Sequence, residues 1–332
     1  MHLVQIAGAH GRSVARVEGP LLRLINSHTS IYSLALEAIE SSASLAVTAE
    51  RHASAETLDY DAIYEARSEW RLLPSFDHPD EPNRCLVSGT GLTHKASAEN
   101  RAAMHQNATT TITDSMRMYQ LGLEGGTPAP GEIGVQPEWF YKGHGSILKG
   151  HGDTLTVPPF AEDGGEEPEI AGVYVIGPDG QPYRIGLTIG NEFSDHKMEK
   201  KNYLYLAPSK LRNCSIGPEL VAGEYRFENV PGRVTVIRNG QVLWAKDIFS
   251  GEKNMSHSLA NLEYHHFKYD EHRRPGDVHI HFFGADAFSF GDGVTLQSGD
   301  VTEVAFEGFG KSLRNAVEIP AEPEHFLAVK RL

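Results

Sequence analysis

Residues 166–192, EEPEIAGVYVIGPDGQPYRIGLTIGNE, decide how the chain folds. Glu167 and Glu169 stand at i and i+2, and at a strand's start the side-chain period of two turns both to one face. The apolar run Ile170, Val173, Val175 and Ile176 carries that strand forward. Pro178-Asp179-Gly180 turns it, and Tyr183, Ile185, Leu187 and Ile189 bring it back. The return strand delivers Glu192 to the end where Glu167 and Glu169 began. Three carboxylates at one sheet end repel unless a proton or a cation joins them. An all-oxygen trio suits a hard divalent ion such as Mg²⁺, Mn²⁺ or Ca²⁺.

Further along, Pro208-Ser209-Lys210 and Ile216-Gly217-Pro218 follow Gly190-Asn191-Glu192. As an ordered set, Glu167-x-Glu169 and these motifs resemble the core of the fumarylacetoacetate hydrolase superfamily. Leu204-Tyr205-Leu206-Ala-Pro-Ser-Lys210 is most similar to its dehydratase branch, which acts on 2-keto-3-deoxy-pentonates such as keto-deoxyarabinonate. The resemblance spans roughly residues 82 to 320. It implies an α+β fold: a mixed β-roll core over residues 81–332, preceded by a small N-terminal α/β module at 1–80. It also implies a homodimer.

The site residues follow from the same resemblance. Glu167, Glu169 and Glu192 are the expected metal ligands, Mg²⁺ foremost, although Glu192 stands where the family usually has Asp. Lys210 is the expected base or enolate partner, its pKa expected to be lowered. Glu99 or His94, from the stretch after Cys85-Leu-Val-Ser88-Gly89-Thr90-Gly91, is the expected acid. The family's lid spacing is absent there. Lys142 (in Phe140-Tyr-Lys142), Ser88, Ser194 and Ala285 are expected at the substrate. His196 replaces the arginine common in the hydrolases, and Gly284-Ala285 replaces Gly-Thr.

The expected reaction is dehydration of a small 2-keto-3-deoxy sugar acid to 2-oxoglutarate semialdehyde. Two other readings stay open: an acylpyruvase cleaving a C–C bond in a diketo acid, and a non-catalytic keto-acid-binding protein. His279-x-His281, with His265, His266 and His272 nearby, has a spacing that zinc and iron sites use. The resemblance gives that strand a structural and substrate-loop role instead.

Composition narrows the classes. The 332 residues carry a net charge of -14, which argues against nucleic acid or an anionic membrane as partner. Cys85 and Cys214 are the two cysteines, too few for a disulfide scaffold, and Cys214 reads as a buried apolar residue. No signal pattern and no run of 18 apolar residues appears, so a cytoplasmic setting is expected.

Outside the core, Ser30 predicts a cap for a helix burying Ile31, Leu34, Ala35 and Ala38, and a second helix is expected over Tyr60 to Trp70. Pro74 to Pro82 reads as a linker. Asn239-Gly240 predicts a hairpin. Ser256 predicts a cap for a helix burying Leu259, Leu262 and Phe267.

Overall fold

The computed structural model describes residues 1–95 and 113–332. Its elements are mixed α/β, with two mixed sheets and few helices. The large sheet takes β1 (His2–Gly8), β2 (Gly11–Glu18), β3 (Leu21–Ile25), β4 (Ala53–Asp59), β5 (Arg71–Leu72), β6 (Cys85–Gly89), β7 (Phe140–His144) and β8 (Leu148–Lys149). After β9 (Leu155–Thr156), β10 (Pro168–Ile176), β11 (Pro182–Asn191) and β12 (Cys214–Ala222) complete its middle. Then come β13 (Val230–Arg238), β14 (Gln241–Ser250), β15 (Val278–Phe282), β16 (Val301–Phe306) and β17 (Leu313–Glu318). The main path of the large sheet runs β4-β3-β2-β1-β12-β11-β10-β15-β6-β7, and the smaller runs β14-β13-β16-β17-β9.

The predicted hairpin is β10–β11. Gly177 donates to Gln181 O at 2.9 Å, Gly180 turns the chain at φ 78°, and the antiparallel register pairs Pro168 with Asn191 and Glu169 with Gly190. Every residue of β10 and of β12 is buried. Ala171, Val173 and Val175 enter a core with Val87, Ile216 and Leu34, whereas Ile170 joins a second core with Leu187, Phe283 and Val304. Burying a strand on both faces leaves little room for polar alternation, and β10 reads accordingly as an apolar run.

The N-terminal residues extend this same sheet. β1 pairs with β12 (Leu3 with Leu220), and Leu3, Val14 and Ile31 share the core of Val173 and Ile280. The first helix, α1 (Ile31–Glu40), is capped by Ser30, whose side chain accepts from Ser33 N, and buries the four expected residues. The helix expected over Tyr60 to Trp70 is shorter, Tyr60–Tyr64, and Ala66 at φ 53° turns the chain away from it. Pro74 to Pro82, expected as a linker, is packed: Phe76 is fully buried, and Asp77 binds Arg12 at 2.6 and 2.8 Å. Asn239 and Gly240, both at positive φ, make the β13–β14 turn. The helix Leu259–Phe267 is capped by Ser258 rather than Ser256, whose hydroxyl bonds Leu92 O and Thr93 O. Among the described residues no helix is long and apolar enough to cross a membrane.

Candidate metal centre

Because Pro168 faces Asn191, the residues just beyond them meet, and Glu192 N donates to Glu167 O at 2.9 Å. Glu167, Glu169 and Glu192 are all buried, and one oxygen from each lies within 4.8 Å of the others. Each carboxylate has its own support. Glu169 accepts from Gly284 N at 2.7 Å. Gly284 holds φ 107°, and a Cβ there would lie 2.3 Å from Thr93 Oγ1, so this backbone donor requires glycine. Glu167 is bonded to His196 Nε2 at 2.9 Å, with the imidazole stacked on Phe288 at 4.4 Å. Glu192 accepts from Ser194 Oγ at 2.9 Å.

Lys210, at the end of the short helix Leu206–Lys210, reaches into the middle of this group. Its Nζ lies 2.9 and 3.0 Å from the two oxygens of Glu167, 2.7 Å from Glu192, 2.8 Å from Ser194 Oγ and 3.1 Å from Glu199. The ring of Phe140 lies 5.0 Å away. Lys142 supports the floor: its Nζ is 2.5 Å from the second Glu192 oxygen and donates to Phe193 O and Lys210 O at 2.8 and 3.0 Å.

Electrostatics separates the carboxyls. Burial raises Glu169 well above the usual carboxylate range, and the charges of Glu192 and Glu167 push it further. Burial also raises Glu192, although Lys142 and Lys210 oppose it. Burial acts the same way on Glu167, but the Lys210 ammonium and the His196 hydrogen bond outweigh it and hold its carboxyl well below that range. For Lys210, burial would lower the pKa; Glu167, Glu192 and Glu199 overcome that and raise it well above the ordinary value. The expected lowering of the lysine is thus not what this arrangement produces, because three carboxylates surround it.

The donor set fits a hard divalent ion. With all four carboxyls ionised, Glu167, Glu169, Glu192 and Glu199 would exceed the two ammonium groups by two negative charges, or by one with His196 protonated, a deficit that a divalent cation fills. A cavity of about 20 Å³ opens onto Glu167, Glu169 and Lys210, and Thr90, Phe140 and Gly284 also line it. That is room for one small occupant.

The other expected residues fall as follows. Ser194 and Lys142 lie inside the cluster, and Ala285 and His94 line the same cavity. The His94 ring is held from behind, with Nε2 at 2.7 Å from Phe249 O and Nδ1 at 3.5 Å from Asp286. Ser88 points elsewhere, sharing a 2.8 Å hydrogen bond with His281 Nδ1. Glu99 lies outside the described residues. Sequence reasoning noted His196 as a departure without seeing that it binds Glu167, and it missed Glu199 beside Lys210. The helical i, i+3 spacing of the two and the Asp195 cap were the available signals.

The histidines of β15 form a different arrangement. His279 and His281 point to one face, covered by His266 and Phe267 of the helix Leu259–Phe267. Trp139 Nε1 donates to His266 Nδ1 at 3.2 Å, so His266 Nε2 carries the proton shared with His279 Nδ1 at 2.9 Å. Burial pushes His279 and His281 down to about 3. Among the described residues, ligand groups converge at the three carboxylates and at His28, Glu37 and His52, not here.

No family model matches the chain. It is 28% identical over 186 residues to a probable 2-keto-3-deoxyxylonate dehydratase of Haloferax volcanii, over 55% of this chain and 60% of that protein. It is 29% identical over 133 residues to a 2-dehydro-3-deoxy-D-arabinonate dehydratase of Saccharolobus solfataricus, over 39% of this chain and 42% of that one. The chain thus spans about half the length of the curated relatives it matches. In fold it is similar to a 2-keto-3-deoxy-D-arabinonate dehydratase complexed with magnesium and 2,5-dioxopentanoate, with TM-score 0.71 and 17% identity over 97% of this chain and 100% of that one. A 2-hydroxyhepta-2,4-diene-1,7-dioate isomerase from Mycobacterium marinum gives 0.56 at 17% identity, over 97% and 100%. The chain is thus similar in sequence to 2-keto-3-deoxy-pentonate dehydratases and shares the fold of one of them.

Proposed function

We propose that the protein is a metal-dependent hydro-lyase that dehydrates a 2-keto-3-deoxy-pentonate to 2-oxoglutarate semialdehyde. The observation that carries the reading is Lys210, buried among Glu167, Glu192 and Glu199 beside the cavity that Glu169 also faces. Glu167, Glu169 and Glu192 are the residues that would hold the cation, Mg²⁺ by preference for an all-oxygen set. When bound, such an ion supplies Lewis acidity toward the keto oxygen.

The chain's own groups do the rest. Held protonated by its carboxylates, Lys210 donates to the oxygen that becomes negative as the C3 proton leaves, which favours the enolate-partner role over that of base. Lys142 and His196 fix Glu192 and Glu167 so that the ligand oxygens keep their directions, and Gly284 N does so for Glu169. Loss of the C4 hydroxyl as water follows, and tautomerisation leaves the aldehyde end. His94, which lines the cavity, is assigned to take the C3 proton and return it to the departing hydroxyl, so that water leaves with the proton accounted for, and Glu99 is the alternative. Ala285, on the cavity wall, is assigned to the substrate side, and Lys142 and Ser194 act on it through Glu192 and Lys210. Residues 1–80 are read as an accessory module and 81–332 as the catalytic part, since all these groups follow residue 81. A homodimer and a cytoplasmic setting belong to the same reading.

The test is a turnover assay on chelator-stripped protein with 2-keto-3-deoxy-arabinonate, with acetylpyruvate in parallel. Semialdehyde formed only after Mg²⁺ or Mn²⁺ is restored is the expected result. Acetylpyruvate cleavage without dehydration would replace it with the acylpyruvase reading, and metal binding without turnover of either would leave a keto-acid-binding protein.

A further inference from the structure

We propose that His28, Glu37 and His52 form a second metal site, selective for a borderline cation of the Zn²⁺ or Co²⁺ class. Their ligand atoms lie within 4.8 Å of one another. The inference does not depend on the dehydratase reading.

Three elements bring the trio together. His28 follows β3 after Ser27, which sits at φ 68°. Glu37 projects from α1. His52 closes the helix Leu45–Arg51, and its carbonyl accepts from Asn26 N at 2.8 Å, tying it to the end of β3. His28 Nε2 lies 2.8 Å from Glu37 Oε2, and His52 Nε2 lies 2.9 and 3.0 Å from the two Glu37 oxygens. The rings meet edge to face at 4.9 Å. The His28 side chain is 9% exposed, His52 25% and Glu37 36%, so the site is half-buried yet open to an ion from solvent.

The hydrogen-bond inventory points past a simple ion pair. The Ser33 hydroxyl donates its one proton to Ser30 O at 2.9 Å, so toward His28 Nδ1, 3.1 Å away, it accepts. With its proton on Nδ1, facing Ser33, His28 turns the Nε2 lone pair toward a Glu37 oxygen. Two acceptors 2.8 Å apart repel unless a proton or a cation stands between them. A metal ion between them satisfies both acceptors. A ligand imidazole whose far nitrogen is hydrogen-bonded is also the arrangement that orients metal-bound histidines.

Two imidazoles and one carboxylate, with room for water, form a donor set that zinc and its neighbours use. Mg²⁺ prefers oxygen and belongs to the carboxylate centre. Donor chemistry thus sorts the two sites.

The test uses the full chain, chelator-stripped and then held in excess Mg²⁺ to fill the carboxylate centre. Co²⁺ is titrated in, read by its visible d–d absorption and by the metal retained after gel filtration. One retained equivalent is expected, with an X-ray absorption spectrum that fits two imidazole nitrogens. His28→Ala and His52→Ala should each weaken binding by at least about tenfold, and Ser33→Ala by about tenfold through the freed ring. Mg²⁺-dependent turnover should be unchanged in all three. Ser33→Ala removes no ligand, so it keeps the test valid if a histidine variant fails to fold. No retained Co²⁺ in the parent protein, or an equivalent that persists unchanged in the variants, overturns the proposal.

Discussion

Two polar clusters lie side by side in one sheet, and they treat charge in opposite ways. At the shared end of β10 and β11, Glu167 keeps its charge, and Lys210, Lys142 and His196 gather against the carboxyls of Glu167 and Glu192. One strand over, on β15, His279 and His281 are equally buried but held neutral, in a chain that begins at Trp139 and passes through His266. Both clusters are built from residue types that bind metals. The difference is whether each buried group has a counter-charge or only a neutral hydrogen-bond partner. A buried charge without a partner is too costly to keep, so the histidines give up their protons and Glu169 favours its neutral form, whereas Glu167 and Glu192 recruit lysines.

Removing the central counter-charge is the largest blow to the first cluster. Lys210→Met should lower kcat by at least about a hundredfold. It should also cost about 3–5 kcal/mol in chelated protein, because the carboxylates are left without their ammonium. Urea unfolding with and without Mg²⁺ checks the second part, and unchanged turnover would remove Lys210 from the mechanism.

Acid reads the second cluster. His279 and His281 drop from an ordinary 6.5 to about 3 in the folded protein, so unfolding takes up protons there. Their contribution is complete above pH 6.5 and is lost as the pH falls from there toward 3. The slope is about 1.4 kcal/mol per pH unit for each ring, about 2.7 for the pair. Burial holds His266 well below its usual value and acts in the same direction. Stability measured from pH 7 to pH 4 should fall steeply, and His279→Gln should flatten the slope by about half of the pair's share. A flat profile would mean that the rings already carry charge.

Glu169→Gln separates the clusters by sign. Its raised pKa means that the protonated carboxyl is the form the fold favours. That stability is present below the ordinary carboxylate range and is lost as pH rises toward the raised value. At neutral pH the neutral amide should therefore make chelated protein more stable, on the order of 1 kcal/mol. The thermal shift produced by Mg²⁺ should shrink in the same variant, because a ligand is gone. Destabilised chelated protein would show that Glu169 is already neutralised by another partner.

Much of this was legible in residues 166–192, because period-two spacing and one turn suffice to bring three carboxylates to one sheet end. The α1 face and the Asn239-Gly240 turn were legible for the same reason: local chemistry decides them. Lys210's protonation was not, since it depends on Glu167 and Glu192 closing around one ammonium, with Glu199, eleven residues back, brought in by a short helix. Nor was His196, whose partner Glu167 lies 29 positions away and whose stacking on Phe288 needs the loop after β15. The helix at Tyr60 stopped early because Ala66 adopts a left-handed conformation that its neighbours do not announce.

Ser88 is where the two clusters compete for one residue. The sequence resemblance leads us to expect it at the substrate; in the sheet it pairs with His281, both by strand register and through its hydroxyl at 2.8 Å. Parallel pairing of β6 with β15 fixes that outcome, since Ser88 sits directly beside His281 and both side chains are buried. Ser88→Ala should therefore cost about 1 kcal/mol, the usual worth of one buried hydrogen bond, and leave KM unchanged. It should also remove one constraint on the His281 tautomer, which a histidine-labelled NMR spectrum would register as a shift of the Nδ1 resonance. A rise in KM at unaltered stability would instead return Ser88 to the substrate side and mean that the sheet edge rearranges when the keto acid enters.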